Sequence, residues 1–223
     1  MTARPAFYAL RPGGWRDYVT LLHLPYTAWH LSYVAIGAAL APDVRLNRLV
    51  WTLAAFLLAL GVAAHALDEL HGRPLQTEIP RAVLLGLAAV GLAGAIAIGV
   101  GAAAAWGWWL LAFVAAGGFL VPAYNLELFG GRFHSDLWFG LAWGAFPLLT
   151  AYFAQALELR AEAILAAAFA TWLSLAQRTL STAVRAIRRA GAAGDLAVPE
   201  AALRSLALAV CALAAALAVL RLA

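Results

Sequence analysis

Lysine is absent from this chain and cysteine nearly so. All fifteen basic residues are arginine, a bias that GC-rich coding explains as readily as planar recognition of phosphate does. The single cysteine, Cys211, has no partner for an intrachain disulfide, so a disulfide-stapled fold is excluded and the redox compartment is left unmarked. Charge is scarce at 12% of residues, and no polar block sets off a second domain. No series of short alternating segments is present either, which argues against a closed membrane barrel.

What fills the chain is apolar. The residues AVILMFWYC make up 65% of it, against about half in an ordinary soluble domain, and the mean hydropathy is +0.86. These values predict an all-α, multi-pass membrane bundle occupying residues 1–223 as a single integral membrane domain. Seven runs have the length of about 17–25 residues that a hydrocarbon core asks of a helix: Val19–Leu40, Leu49–Leu67, Ala82–Ala103, Trp106–Tyr124, Leu137–Ala156, Ala161–Leu180 and Ala201–Leu222. Ala39-Leu40-Ala41 resembles a signal-peptidase site, but the run before it is longer than a signal h-region. It is therefore read as the first span.

Arginine placement sets the orientation. With the N-terminus inside, eleven arginines (Arg4, Arg11, Arg16, Arg73, Arg81, Arg132, Arg178, Arg185, Arg188, Arg189 and Arg204) face the cytoplasm, and four (Arg45, Arg48, Arg160 and Arg221) face outward. The positive-inside bias then predicts a cytoplasmic N-terminus, in what is expected to be a prokaryotic cell membrane. The formal charge of +4 is accounted for by basic loops against anionic lipid headgroups, and no nucleic-acid partner is expected. The nine tryptophans lie mostly near span ends, as interfacial anchors do. Gly86, Gly91 and Gly94 mark the third span for close packing. Pro122 and Pro147 are candidates to kink the fourth and fifth spans and open space between them.

Three polar clusters interrupt this apolar text, and the orientation puts all three on the cytoplasmic side. In the first, His65 shares a helix face with Asp68 and Glu69 at i+3 and i+4, and Asp68 with His71. Carboxylates at mid-bilayer cost roughly 2.5–3.5 kcal/mol each, so these sit at a helix mouth or face a wet cavity. Two readings stand: a divalent-cation site, or a helix end whose charges are solvated or paired with Arg73. The second cluster runs through Tyr124, Asn125 and Glu127 to Arg132, His134 and Asp136, with Gly130-Gly131 as a turn. Its residues either hydrogen-bond a substrate from a cavity wall or form a polar interfacial loop. In the third, Gln177, Ser181 and Arg185 follow one another at i+4, flanked by Arg178, Arg188 and Arg189. Guanidinium forks suit a diphosphate, while the positive-inside bias accounts for the same arginines without a ligand. His23 and His30 share a face of the first span and are read as singly satisfied histidines.

In the order and sidedness of these clusters the chain resembles the UbiA-type membrane prenyltransferase superfamily. His65-Ala-Leu-Asp68-Glu69 stands where that family ends its second span with Asn-Asp-x-x-Asp, and Arg73-Pro74-Leu75-Gln76-Thr77 is similar to the Arg-Pro-Leu stretch that follows. Tyr124-Asn125-Leu126-Glu127 resembles the family's tyrosine-bearing segment, and Gln177-Arg178-Thr179-Leu180-Ser181 stands at its second acidic motif, here without carboxylates. The family normally has nine spans. The resemblance implies transfer of an isoprenoid group from a prenyl diphosphate to a hydrophobic acceptor, aromatic or lipid. It implies Mg²⁺ held by Asp68 and Glu69, catalysis by Asp68, Glu69, Tyr124 and Arg185, and substrate binding by His65, Arg73, Asn125, Glu127, Gln177, Arg178 and Ser181. Arg178 or Arg185 then replaces the second metal site as a fixed cation. Two other expectations stand beside this one: an inactive lipid-binding or scaffold protein of the same fold, and a metal-dependent membrane hydrolase or oxidase using His65, Asp68, Glu69, His71 and His134.

Overall fold

The computed structural model describes residues 5–190 and 196–222, without the side chains of residues 189 and 190; Arg4 and the Arg189 side chain, both counted above, lie outside the described residues. Helix is the one regular element among them, at 79%, and they hold no strand. In chain order the helices are α1 (Trp15–Leu21), α2 (Leu24–Leu40), α3 (Leu46–Leu70), α4 (Arg81–Trp106), α5 (Leu110–Asn125), α6 (Asp136–Ala156), α7 (Ala161–Ala190) and α8 (Ala197–Leu222). Five of them, α3, α4, α6, α7 and α8, are long and apolar enough to cross a membrane, and α5 is a shorter apolar helix of 16 residues. Their outward faces carry large apolar side chains such as Val90, Leu165, Trp172 and Leu208. Such an exterior fits an integral membrane protein, whose backbone polar groups are satisfied within helices.

The run Val19–Leu40 is not one helix. It breaks at Leu22 and His23, where His23 takes a left-handed conformation with φ 45°. The cause is Pro25, which has no N–H for the carbonyl four residues back and whose ring disfavours helix through it. Helix α2 therefore starts afresh with Pro25 in its first turn, and Thr27 Oγ1 donates to the exposed Leu22 carbonyl. A second departure moves the boundary between the third and fourth runs, with α4 extending to Trp106 and α5 beginning only at Leu110, after Gly107.

Helix α2 is the hub, packed against α6 on one side and α8 on another. At its centre Trp29 and Tyr33 are fully buried, Trp29 Nε1 donates to Tyr33 Oη at 2.6 Å, and Ser174 Oγ of α7 donates to the same oxygen at 3.2 Å. Trp29 and Trp143 are thus core residues rather than interfacial anchors. The backbones approach most closely where α2 meets α6 and α6 meets α7. A Cβ at Gly37 would sit on the Leu148 carbonyl, and one at Gly144 would lie 2.5 Å from the Ala170 carbonyl oxygen. On α4, Gly91 is a tight contact against Leu58 and Ala63 and Gly94 meets Leu58, but Gly86 faces open space.

Helices α3 and α6 each contain a wide π-helical stretch, residues Leu57–Ala64 and Gly140–Ala145. Inserted π turns shift the register of everything beyond them and recur at functional sites. Here the stretch of α3 ends directly before His65 and the stretch of α6 contains Trp143, both residues of the site described next.

Candidate functional site

The start of α2, the end of α3, the end of α5, the start of α6 and the C-terminal half of α7 surround a cavity of about 310 Å³. Its wall holds Asp68, His65 and His71 from the first cluster, Tyr124, Asn125, Glu127 and His134 from the second, and Gln177, Arg178, Ser181 and Arg185 from the third. Segments more than forty residues apart in sequence therefore meet in one hollow.

The cavity's aromatic side is built by α5 and α6. The Tyr124 ring lies 4.5 Å from His134 and 4.6 Å from Trp143, centroid to centroid, with Phe139 at 6.1 Å. Pro147 gives no N–H to the Trp143 carbonyl four residues before it, and that carbonyl instead bonds the Nδ1 of His30 from α2 at 2.9 Å. His134 Nδ1 bonds the Tyr124 carbonyl at 3.0 Å, folding the loop after α5 back over the site.

Charge gathers beside these rings. Arg178 donates through Nη1 to the Tyr124 hydroxyl and through Nε to Asp136, so its fork is fixed by α5 and α6 together. Arg185 is exposed and has one described hydrogen bond, from Nη2 to Thr182 Oγ1 at 3.2 Å. The Asp68 carboxylate makes no hydrogen bond to any described residue. His71 Nε2 lies 3.9 Å from Glu127 Oε1 across the opening. Gln177 is only 4% exposed, and its Oε1 finds no donor among the described residues. An unpartnered buried amide is costly, and a native protein keeps one where something else completes it.

Two of the residues expected in the site stand outside its wall. Glu69 is fully buried, and both its oxygens are engaged: Oε1 accepts from Thr77 N and Oγ1 at 2.8 and 2.9 Å, and Oε2 from Leu75 N at 3.0 Å. Arg73, at φ 52°, donates through Nη1 to the Thr77 and Ile79 carbonyls at 2.9 and 2.8 Å. Both side chains hold the loop after α3 in shape. Arg73 thus neither pairs with the cluster's carboxylates nor reaches the cavity.

Other wall residues escape a reading of the sequence. The segment Pro5–Tyr8 lies across the cavity, tied by the Tyr8 hydroxyl to His23 Nδ1 at 3.0 Å. Burial pushes the Tyr8 phenol well above its ordinary range, so it stays protonated. His23 in turn stacks on His65 with ring centroids 4.0 Å apart and planes 10° from parallel. The left-handed turn before Pro25 is what aims His23 this way, and Pro25 was its one sequence signal.

As for a metal, Mg²⁺ takes oxygen ligands and commonly uses one or two carboxylates, with water and substrate phosphate filling the rest. Asp68 and Glu127 are carboxylates of the cavity wall and fit that demand; Glu69 does not. Among the described residues no three His, Cys, Asp or Glu side chains are grouped to hold a metal by themselves. No protein-family model, curated protein or solved structure matches this chain, and its function has to be argued from this cavity.

Proposed function

We propose that this chain is a UbiA-like membrane prenyltransferase that crosses the bilayer seven times from a cytoplasmic N-terminus, with α2 and α5 completing the five longer spans. One observation carries the reading: three polar helix ends, remote in sequence, surround a single cavity with arginines and a free carboxylate at its wall. Prenyl diphosphate brings up to three negative charges on an apolar tail, and such a ligand wants this pairing of cations with an apolar surround.

In this reading Arg178 and Arg185 bind the diphosphate. Arg178 is pre-organised by Tyr124 and Asp136, so little entropy is lost when it takes up phosphate oxygens. Arg185 is free to swing onto them. Asp68, with Glu127, would hold Mg²⁺, which when bound supplies positive charge to the leaving diphosphate. The arginines on α7 stand where carboxylates would hold a second ion and stabilise the same developing charge directly. Tyr124, Phe139 and Trp143 keep water from the reacting carbon. Glu69 and Arg73 act only by shaping the loop that presents Asp68.

The test is incubation of the purified full chain with labelled prenyl diphosphates of several lengths, Mg²⁺ and a panel of hydroxylated and aromatic acceptors. Transfer that depends on Asp68 and Arg185 is expected. Diphosphate binding without transfer to any acceptor would instead favour a lipid-binding protein, and no binding at all would end the reading.

A further inference from the structure

We infer that the inner end of the cavity is a binding subsite for a small molecule bearing O–H or N–H groups, held by His30, His65 and Gln177. As the acceptor end of a transferase it rests on the reading above; as a binding site it does not.

Depth follows from helix position. At about 1.5 Å of rise per residue, Gln177 lies roughly 12 Å along α7 from Arg185, His30 roughly 10 Å along the chain beyond the His23 break, and His65 roughly 5 Å inside Asp68. Arg185 and Asp68 thus stand at the mouth, and these three uncharged groups stand further in. All three line the cavity and all are more than nine-tenths buried.

Their hydrogen bonds fix what they offer. A backbone carbonyl only accepts, so each imidazole bonded to one through Nδ1 must carry its proton there. His30 does so to the Trp143 carbonyl at 2.9 Å and His65 to the Gly61 carbonyl at 3.2 Å. In the neutral ring the lone pair is then on Nε2, and neither Nε2 has a partner among the described residues. Gln177 adds a carboxamide that makes no hydrogen bond to any described residue, with its Oε1 orphaned. Three unmet groups, two of them acceptors by construction, surround one space. A ligand presenting O–H or N–H donors satisfies them; its methyl ether does not.

The backbone supports this reading independently. His65 follows directly on the π-helical stretch of α3, and the ring stacked upon it belongs to His23, held at positive φ. Non-glycine residues hold such conformations at a cost of roughly 1–3 kcal/mol, and they gather at ligand sites.

The chain has five histidines, few enough to resolve singly. Long-range ¹H–¹⁵N spectra of the ¹⁵N-histidine-labelled full chain in detergent, assigned through His30→Gln and His65→Gln, report the tautomers. Resorcinol serves as the probe, because the aromatic wall accepts a ring, and 1,3-dimethoxybenzene as the donor-free control. The expected result is an Nδ1–H form for both histidines, with both Nε2 resonances moved by resorcinol and unmoved by the ether. Gln177→Leu is expected to weaken resorcinol roughly three- to tenfold, the worth of one neutral hydrogen bond. An Nε2–H form at either ring, silence toward resorcinol, or equal shifts with both compounds overturns the subsite. Should a histidine variant not fold, the unaltered chain still gives the answer, with His65 assigned by its proximity to the His23 ring.

Binding of labelled geranylgeranyl diphosphate, measured on the same sample, separates the two readings. Resorcinol shifts without diphosphate binding keep the subsite and remove the transferase. Diphosphate binding with histidines indifferent to resorcinol does the reverse.

Discussion

Glu69 Oε1 accepts two hydrogen bonds from Thr77, one from its backbone N–H at 2.8 Å and one from its hydroxyl at 2.9 Å. The loop from His71 to Thr77 is thereby closed onto the end of α3. The preceding residue, Asp68, turns the other way and lines the cavity. Two adjacent carboxylates of nearly equal chemistry thus have separate tasks.

That separation is measurable. Glu69→Gln replaces a charged acceptor of three bonds by a neutral amide whose NH₂ meets N–H donors, and hydrogen bonds to charged groups contribute about 1.5–3 kcal/mol. Its unfolding midpoint in detergent should fall accordingly. Asp68→Asn breaks no described hydrogen bond, so its midpoint should stay near that of the unaltered chain while Mg²⁺-dependent binding of prenyl diphosphate drops. Equal loss of stability in both variants would contradict the assignment.

The two arginines of the cavity should part in the same manner. Arg185→Ala removes one exposed fork with a single partner. Diphosphate affinity is expected to fall about tenfold or more, one to two charged hydrogen bonds, with little change in unfolding. Arg178→Lys keeps the charge and loses the fork, and a lysine cannot serve Tyr124 and Asp136 at once. Both affinity and stability should decrease there, as read by filter binding and thermal unfolding.

Much of the bundle is legible in the string because hydropathy is a local property. Arg81–Trp106 and Asp136–Ala156 lie within three residues of the expected runs. The break at His23 is legible only afterwards, since Pro25 in a first turn and Pro25 in a kink read alike. Clustering of the polar residues into three helix ends follows from orientation alone, but which side chains face inward does not. Glu69 and Asp68 differ only through bonds to Leu75 and Thr77, whose direction depends on how the loop closes. Trp143 has the flanks of an interfacial anchor, and only the packing of α2 and α7 against it makes it a wall of the site.

Close backbone contact gives a third prediction. Gly37→Ala and Gly144→Ala would each press a methyl group onto a carbonyl, of Leu148 and Ala170 respectively, and neither backbone can retreat without moving a helix. Overpacking of this kind costs about 1–3 kcal/mol or more. Gly86→Ala meets nothing within 4 Å, and a glycine inside a helix gives way to alanine with a gain of about 0.5–1 kcal/mol. Unfolding midpoints of the three variants should therefore divide by sign, and a destabilised Gly86→Ala would show that its face is covered.

The segment across the cavity yields the last. Asp17 is buried, and its Oδ1 accepts from Gly13 N at 2.9 Å while its Oδ2 accepts from Glu78 N at 2.8 Å. One carboxylate so joins the N-terminal segment to the loop that Glu69 and Arg73 hold from the other side. Arg204 of α8 lies over the Phe7 ring at 4.8 Å and adds a second tether. In Asp17→Asn one of the two N–H donors must face an NH₂ group, and the clamp loses one of its charge-assisted bonds, about 1.5–3 kcal/mol. Hydrogen exchange should then quicken by roughly tenfold or more in peptides covering residues 5–14 and 73–79, with α6 unaffected. If exchange quickens in α6 as well, Asp17 supports the bundle as a whole; if it changes nowhere, the Tyr8–His23 bond and the Arg204–Phe7 contact are sufficient to hold the segment down.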